Sequence, residues 1–376
     1  MSTTEVWLEW WHPDGLRRWS GRHRVVLPVT PHGEEVPMPG WPSLRALAPF
    51  MGPEAWVVRL RQRADGLVAM IADAEPPAAG AWEPVPWPES RAPWSRPGWR
   101  EATAAWIARV VGPHRAVQHR VWGRSTVWRI EAGDRVCWFK ESYGLPPGEG
   151  AALRLASSTL EAGSGLQVPE VFAAEGPRVL MAPFQGEPLL ERPTEDWVVA
   201  LQAALRFATT ADVGAWREAG AVDATPATWH DRLTALFAAY GLADHDVAPW
   251  AARFEALPEG LSEGVLPHDL GPCNLRWLGD GRVQGFDWAD VVIGTPGMLV
   301  DRFLNEVRPD DVARRDALTA VLDPGAWGAV RRVALLQEVW RYHRELAWLD
   351  GDAPVALKFR KVNGEQLRRQ LGIELT

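Results

Sequence analysis

Cysteine and long apolar runs are scarce in this sequence, and each scarcity argues against a class of protein. Two cysteines, Cys137 and Cys273, among 376 residues do not make a disulfide framework, so we expect a reducing, cytoplasmic setting. No apolar run approaches the roughly 18 residues that a membrane-spanning helix needs. The N-terminal residues lack a basic start followed by an apolar stretch, so no signal peptide and no membrane association are predicted.

Positive charge and tyrosine are also in short supply. The formal net charge is −8, and because nucleic-acid-binding proteins usually carry a basic footprint, no nucleic-acid partner is predicted. Hydrophobic residues make up 47% of the chain, which is enough for a packed core. Tryptophan is abundant instead, with 23 residues against 3 tyrosines. We interpret most of these rings as core residues, and the alternative that a few line a substrate cleft stays open.

The composition changes along the chain and suggests a domain order. Residues 1–75 contain short strand-like runs and predict a small β-rich cap. Residues 76–97 are dense in proline, which lacks a backbone donor, and predict an extended connector. Residues 98–185 read as a helix over Trp99–Val111, then three strands, a helix and two strands, whereas 186–376 are mainly helical. This order predicts an α+β fold with an antiparallel sheet followed by helices.

The segment LPHDLGPCNLRWLGDGRVQGFDWAD, residues 266–290, carries the strongest chemical signal. Two strand-like runs joined at residues 279–281 predict a hairpin that brings Asn274 close to Asp287. An amide oxygen and a carboxylate are hard ligands, suited to Mg²⁺ on nucleotide phosphates. Asp269 lies in the preceding loop, where it is placed to accept the proton of an incoming hydroxyl. The segment therefore predicts phosphoryl transfer.

Upstream residues supply a second signal. Lys140 follows an apolar strand and Glu149 lies in the first turn of the next predicted helix. In kinases, a lysine so placed holds the nucleotide phosphates and a helix glutamate orients it. A solvated lysine is the alternative for Lys140 alone, and the downstream segment favours the functional interpretation.

Two further places are predicted to contact the nucleotide. Ser125 and Thr126 follow the turn between the first two strands of residues 98–185, where a loop would cover the phosphates. The backbone of Met181 and Ala182, at the end of a later strand, is predicted to bind a purine edge. An ordinary hairpin turn and an ordinary strand end are the respective alternatives.

Together these motifs resemble the aminoglycoside-phosphotransferase-like kinases, whose pattern is H-G-D-L-x-x-x-N followed by I-D-W. Asp269, Asn274 and Asp287 fall in register with it. The resemblance implies a bilobal protein-kinase-like fold, with an N-lobe over 98–185 and a helical C-lobe over 186–376. It also implies that Asp269 is the catalytic base, that Asn274 and Asp287 bind Mg²⁺, and that ATP or GTP is the donor. The implied acceptor is a small-molecule hydroxyl, on a sugar, amino sugar or aminoglycoside.

The sequence departs from this pattern around the catalytic loop. Pro267 and His268 stand where the family has His and Gly, which puts the role of the histidine in doubt. Downstream, residues 294–299 lack both acids of the family's G-D-P-x-x-D motif, and Asp301 is the candidate substitute. Cys273, inside the loop, is interpreted as a filler residue because no histidine partner is evident.

Two other functions stay open, and the acceptor side is the least constrained. A protein kinase is disfavoured because no A-P-E-like segment follows Asp287, and a non-catalytic nucleotide- or ligand-binding module of the same fold is the other alternative. Glu338 and Glu345, on a helix predicted over 327–349, are candidates for the acceptor pocket. The alternative is an ordinary core-facing helix with solvated acids.

Overall fold

The chain forms two compact units in a computed structural model. The first unit comprises Met1–Gly144 and Glu345–Phe359, and the second comprises Leu145–Arg344 and Arg360–Thr376. The structure describes residues 3–10, 17–19, 23–28, 44–47, 49, 56–63, 66–72, 82–84, 92–96, 98–121, 124–142, 146–160, 165–346 and 354–372.

The first unit consists mainly of strands. Its elements are β1 (Thr3–Trp10), β2 (Arg17–Trp19), β3 (His23–Pro28), α1 (Leu44–Leu47), β4 (Trp56–Arg63), β5 (Gly66–Ala72), β6 (Trp82–Pro84), α2 (Trp99–Val111), β7 (Arg115–Val121), β8 (Ser125–Ala132) and β9 (Arg135–Ser142). One sheet has the order β3-β1-β5-β4, in which only the β1–β5 pairing is parallel. Strands β7, β8 and β9 pair consecutively and antiparallel. β6 lies inside the predicted connector and pairs with β2.

Buried aromatic residues give β8 and β9 an apolar face against which α2 packs. Trp99 and Trp106 on α2 meet Trp128 and Phe139 of the sheet, with ring centroids 5.3 to 6.1 Å apart. The Gln118 side chain accepts from the backbone N–H of Val57 at 2.9 Å and donates to its carbonyl at 2.7 Å, which joins β7 to β4. The predicted cap and the first predicted kinase strands therefore lie in one compact unit, and the boundaries proposed at 75 and 97 stay predictions.

The second unit is mainly helical and also holds short strands. Its elements are α3 (Glu149–Thr159), β10 (Leu166–Gln167), β11 (Val171–Glu175), β12 (Arg178–Met181), β13 (Glu187–Pro188), α4 (Thr194–Thr210), α5 (Val213–Glu218), β14 (Val222–Asp223), α6 (Trp229–Ala239), α7 (Ala248–Glu255), β15 (Gly264–Pro267), β16 (Leu275–Gly279), β17 (Arg282–Gly285), β18 (Val291–Gly294), α8 (Met298–Leu304), α9 (Val312–Thr319) and most of α10 (Pro324–Leu346). A last helix, α11, spans Pro354–Gln370.

Tryptophan supplies much of the core of the second unit. Trp197, Trp216, Trp229 and Trp288 are at most 1% exposed. Trp229 stacks on Phe254 with ring centroids 3.9 Å apart. These positions support the interpretation of tryptophan as a core residue.

The predicted α+β class, with antiparallel strands first and helices after, is confirmed. The short helix α5 and the sheet β14-β18-β15 were not predicted. Among the residues that the structure describes, no helix is long and apolar enough to cross a membrane.

Candidate active site

Two backbone hydrogen bonds bring the predicted catalytic and metal-binding residues together. β15 enters the loop of residues 268–274, the hairpin β16–β17 follows, and β18 returns to pair antiparallel with β15. At one end of this arrangement, the N–H of Phe286 donates to the carbonyl of Asn274 at 3.1 Å. At the other end, the N–H of His268 donates to the carbonyl of Asp290 at 2.9 Å. Asp269 and Asp287 are therefore held between the two bonds.

The turn of this hairpin explains how the chain reverses. Asp280 and Gly281 both have positive φ, 53° and 72°, as the two central residues of a type I′ turn do. Asp287 also has a positive φ, 63°, which is uncommon for a residue other than glycine. Such conformations persist where the surroundings hold them and cluster at functional sites, which agrees with a metal-ligand role for Asp287.

The Asp269 carboxylate is held by three side chains. The Asn274 Nδ2 donates to Asp269 Oδ2 at 3.1 Å and to the Asp269 carbonyl at 2.8 Å. Arg341 Nη1, from α10, donates to Asp269 Oδ1 at 3.3 Å and to the His268 carbonyl at 3.1 Å. Arg302 Nε, from α8, forms an ion pair with the same Oδ1 at 3.3 Å. The carboxylate side chain is 33% exposed, so it is both fixed and accessible.

The orientation of Asn274 fits a cation ligand. Because its Nδ2 faces two oxygens of Asp269, the amide oxygen points away from them. That oxygen and the carboxylate of Asp287 are the hard donors that Mg²⁺ prefers. Among the described residues, no group of three or more His, Cys, Asp or Glu could hold a metal ion. The assignment of Mg²⁺ to Asn274 and Asp287 stays a prediction.

Glu149 is connected to the segment that carries Asp287. The Glu149 side chain is fully buried, and its Oε1 accepts the backbone N–H of Trp288 at 2.9 Å. The Trp288 indole in turn donates to the Gly285 carbonyl at 3.0 Å and packs edge-on against Phe207. Glu149 therefore supports the backbone beside Asp287, whereas its predicted pairing with Lys140, which lies in the other unit, stays a prediction.

Cys273 has more contacts than a filler residue needs. Arg302 Nη2 donates to its sulfur at 3.1 Å, and the thiol interacts with the Glu306 carboxylate. Burial, with the carboxylates of Asp269 and Glu306 adding to it, raises the pKa of Cys273 to about 12. The residue is therefore a buried thiol that contacts both Arg302 and Glu306.

His268 directly precedes Asp269 in the chain. The family resemblance left the role of this histidine in doubt. It is 4% exposed, and its Nε2 lies 2.9 Å from the Gln337 side-chain nitrogen. Burial lowers the pKa of His268 to about 3; the Asp290 carboxylate opposes this shift, while Arg341 and Arg344 add to it. His268 is therefore a neutral structural residue between β15 and α10.

The substitution His268→Gln should make the protein less sensitive to acid. The folded-state pKa lies below the ordinary value of 6.5, so the unfolded chain binds more protons at acidic pH. The stabilisation that the neutral imidazole provides is complete above pH 6.5 and is lost as the pH falls toward about 3, by at most ~1.4 kcal/mol per pH unit. Urea unfolding at neutral and acidic pH should show a smaller loss in the variant than in the wild type.

The same substitution at His230, whose side chain is 60% exposed, serves as the control and should keep the pH dependence of the wild type. Equal acid sensitivity in His268→Gln and the wild type would contradict a neutral, buried His268.

Acidic side chains from α8 and α10 lie beside the arginines. Glu338 Oε2 is 3.9 Å from Arg341 Nε, and the Glu338 side chain is 23% exposed. Burial and then the Glu338 carboxylate raise the pKa of Asp301 to about 6. The core-facing stripe of α10 is present as well, since Leu336, Val339 and Trp340 are buried. The side chain of Glu345 lies outside those that the structure describes.

The predicted nucleotide residues of the first unit lie on β8 and β9. Lys140 is 7% exposed, and a lysine this buried needs a partner, so it is not a solvated surface lysine. Ser125 and Thr126 begin β8 and are also buried. The Thr126 hydroxyl donates to the Arg120 carbonyl at 3.4 Å, which is a structural contact within the sheet. The turn residues 122 and 123 lie outside the described residues.

Met181 and Ala182 end the hairpin β11–β12. Met181 pairs with Val171, and the N–H of Ala182 donates to the Glu170 carbonyl at 2.8 Å. Because that donor is used, a purine contact at Ala182 would involve its carbonyl oxygen. Phe184 and Phe286 stack nearby with ring centroids 4.3 Å apart, a feature that the sequence motifs did not point to.

Gly186 fixes the segment that follows this hairpin. Its φ is 85°, and a Cβ added there would lie 2.2 Å from the Trp277 carbonyl oxygen. Gly186→Ala should therefore destabilise the protein by about 3 kcal/mol or more in urea unfolding. Gly176, with a φ of 54° and no heavy atom within 4 Å of an added Cβ, is the matched control. Gly176→Ala should lose only the left-handed strain of about 1–2 kcal/mol, and equal losses at both glycines would refute the close approach.

Comparison with solved structures finds similarities at low sequence identity. The chain is similar to the macrolide 2'-phosphotransferase of Brachybacterium faecium, with 17% identity, a TM-score of 0.48, and coverage of 71% of this chain and 98% of that chain. It is also similar to a thermostable mutant of aminoglycoside phosphotransferase APH(4)-Ia, with 16% identity, a TM-score of 0.49, and coverage of 72% of this chain and 99% of that chain. A third similar structure is the ternary complex of APH(2")-IIa with streptomycin and ATP, with 11% identity, a TM-score of 0.47, and coverage of 70% of this chain and 97% of that chain. No protein-family model and no curated protein matches the sequence. At these identities, no acceptor is assigned to this chain.

Proposed function

We propose that this chain is a phosphotransferase that moves the γ-phosphoryl group of ATP to a hydroxyl of a small polar molecule. The observation that carries the proposal is the convergence of Asp269, Asn274 and Asp287 between two backbone hydrogen bonds of 2.9 and 3.1 Å. A proton acceptor beside two hard oxygen ligands is the minimum set for kinase-type phosphoryl transfer.

Asp269 has the central role in the proposed reaction. It orients the acceptor hydroxyl and takes its proton as the hydroxyl oxygen forms a bond to the γ-phosphorus. The bond between that phosphorus and the β–γ bridging oxygen breaks, and ADP leaves with the electron pair. Mg²⁺ at Asn274 and Asp287 would supply neutralisation of the phosphate charge. Because the transition state of such reactions is loose, the work of the protein is mainly positioning, which the three contacts of Asp269 provide.

The proposed acceptor is a sugar, an amino sugar or an aminoglycoside. Support comes from Glu338 and Asp301, whose carboxylates lie among the same arginines that contact Asp269. Carboxylates accept hydrogen bonds from sugar hydroxyls and pair with amino groups. The assignments of Lys140, Ser125, Thr126, Met181 and Ala182 to the nucleotide stay predictions.

A screen of acceptors tests the proposal. The purified protein is incubated with Mg²⁺ and either ATP or GTP, together with sugars, amino sugars, aminoglycosides and a protein-substrate mixture. We expect a small-molecule product that is heavier by one phosphoryl group and that forms only with the nucleotide and Mg²⁺. Phosphorylation confined to the protein mixture would instead indicate a protein kinase, and nucleotide binding without turnover would indicate a binding module.

A further inference from the structure

We propose that Arg302, on α8, is a positioning residue that holds the loop of residues 268–274 and the Asp269 carboxylate within it. This role rests on the proposed phosphotransferase function. The guanidinium of Arg302 contacts the loop at both ends: Nε lies 3.3 Å from Asp269 Oδ1, and Nη2 donates to Cys273 Sγ at 3.1 Å. Between them, it lies over Gly271, since a Cβ added there would be 2.9 Å from Arg302 Cζ. One side chain from a helix therefore spans the loop.

The guanidinium is itself fixed in place. Nη1 donates to Glu306 Oε1 at 2.8 Å, one turn further along the chain. The side chain is 15% exposed. Burial acts to lower the pKa of Arg302, but the Asp269 carboxylate and its neighbours outweigh it and raise the pKa, so the group remains charged. A charged guanidinium with a fixed position can hold the carboxylate in one orientation.

The contacts divide the Asp269 carboxylate between its donors. Oδ1 meets Arg302 and Arg341, whereas Oδ2 accepts from Asn274, so rotation of the carboxylate breaks contacts on both oxygens. A misplacement of about 1 Å at a reacting group can cost about 10²-fold in rate. Arg302 contacts Asp269, Gly271, Cys273 and Glu306. None of these four residues is a proposed metal ligand. Loss of Arg302 should therefore reduce turnover and leave ATP affinity unchanged.

Gly271→Ala is the sharpest test because it displaces the guanidinium without removing a charge. The φ of Gly271 is −115°, which alanine adopts readily, so the added methyl group acts on Arg302 and not on the backbone. The probe is phosphate release from ATP with Mg²⁺, with water as the acceptor. We expect the rate to fall between about tenfold and a hundredfold, with an unchanged ATP dissociation constant.

Gly328→Ala, in α10, is the matched control, since the nearest heavy atom to its added Cβ is 4.0 Å away. It should release phosphate at the wild-type rate.

A double-variant cycle distinguishes positioning from general destabilisation. Arg302→Met should lower the rate at least as much as Gly271→Ala, and the two together should lower it no further, because both remove the same contact. Cys273→Ala, which deletes one of the contacts, should give a smaller decrease and serves if Arg302→Met does not fold.

Three results would overturn the role of Arg302 while leaving the proposed function intact. They are wild-type turnover in Gly271→Ala, additive losses in the double variant, and a loss of ATP affinity in the variants that parallels their loss of turnover. A wild-type protein that releases no phosphate and phosphorylates no acceptor would overturn both.

Discussion

Asp269→Asn is expected to lower turnover by about 10²–10⁴-fold while leaving ATP affinity close to that of the wild type. The substitution removes the proton acceptor but keeps the size of the side chain and an oxygen for the arginine contacts at 3.3 Å. It deletes neither proposed metal ligand. Rates of product formation and ATP titrations, measured on the same preparation, separate the two effects.

Asp280→Asn is the matched control for this prediction. Asp280 lies at the exposed tip of the β16–β17 hairpin with a φ of 53°, a conformation that asparagine tolerates well. The same chemical change at this position should alter neither turnover nor ATP affinity. Near-normal turnover in Asp269→Asn would remove Asp269 from the role of base.

Asp287→Asn is expected to weaken the Mg²⁺-dependent binding of ATP, because the neutral amide that replaces the carboxylate is a poorer ligand for the metal. Loss of a carboxylate from a site with two protein ligands should weaken metal-dependent nucleotide affinity by at least about tenfold, since even partners of metal ligands contribute 10–100-fold. Asparagine is the appropriate replacement because the positive φ of 63° would add strain to an alanine variant. ATP titrations with and without Mg²⁺ give the measurement.

Two outcomes of that titration carry different meanings. The wild type should bind ATP more tightly with Mg²⁺, and the affinity of Asp287→Asn in the presence of Mg²⁺ should be at least about tenfold weaker than that of the wild type. An unchanged, metal-dependent affinity in the variant would place the metal elsewhere.

Local signals in the sequence predicted the central part of this site. Helix α2 spans Trp99–Val111, the range that its apolar spacing predicted, and the residues at 279–281 form the predicted turn. Asn274 and Asp287 are near each other because hairpin pairing is a short-range consequence of that turn. Such features depend on neighbouring residues, so the sequence is sufficient to predict them.

Features that depend on distant pairing were missed. Strands β15 and β18 are four-residue apolar runs without usable periodicity, and their pairing joins positions 264–267 to 291–294. Arg302 and Arg341 lie on helices far along the chain, where a charged residue reads as part of a solvated face. The α8 residue that contacts the catalytic loop is Arg302, next to the predicted Asp301.

Release of inorganic phosphate from ATP is the most direct measurement of phosphoryl transfer by this site, because water serves as the acceptor and no other acceptor need be known. The measurement compares the wild type with Asp269→Asn and Asp287→Asn, with and without Mg²⁺. We expect slow release by the wild type that requires Mg²⁺ and is lost in both variants. Release that persists at the wild-type rate in both variants would contradict a phosphoryl-transfer centre at Asp269, Asn274 and Asp287.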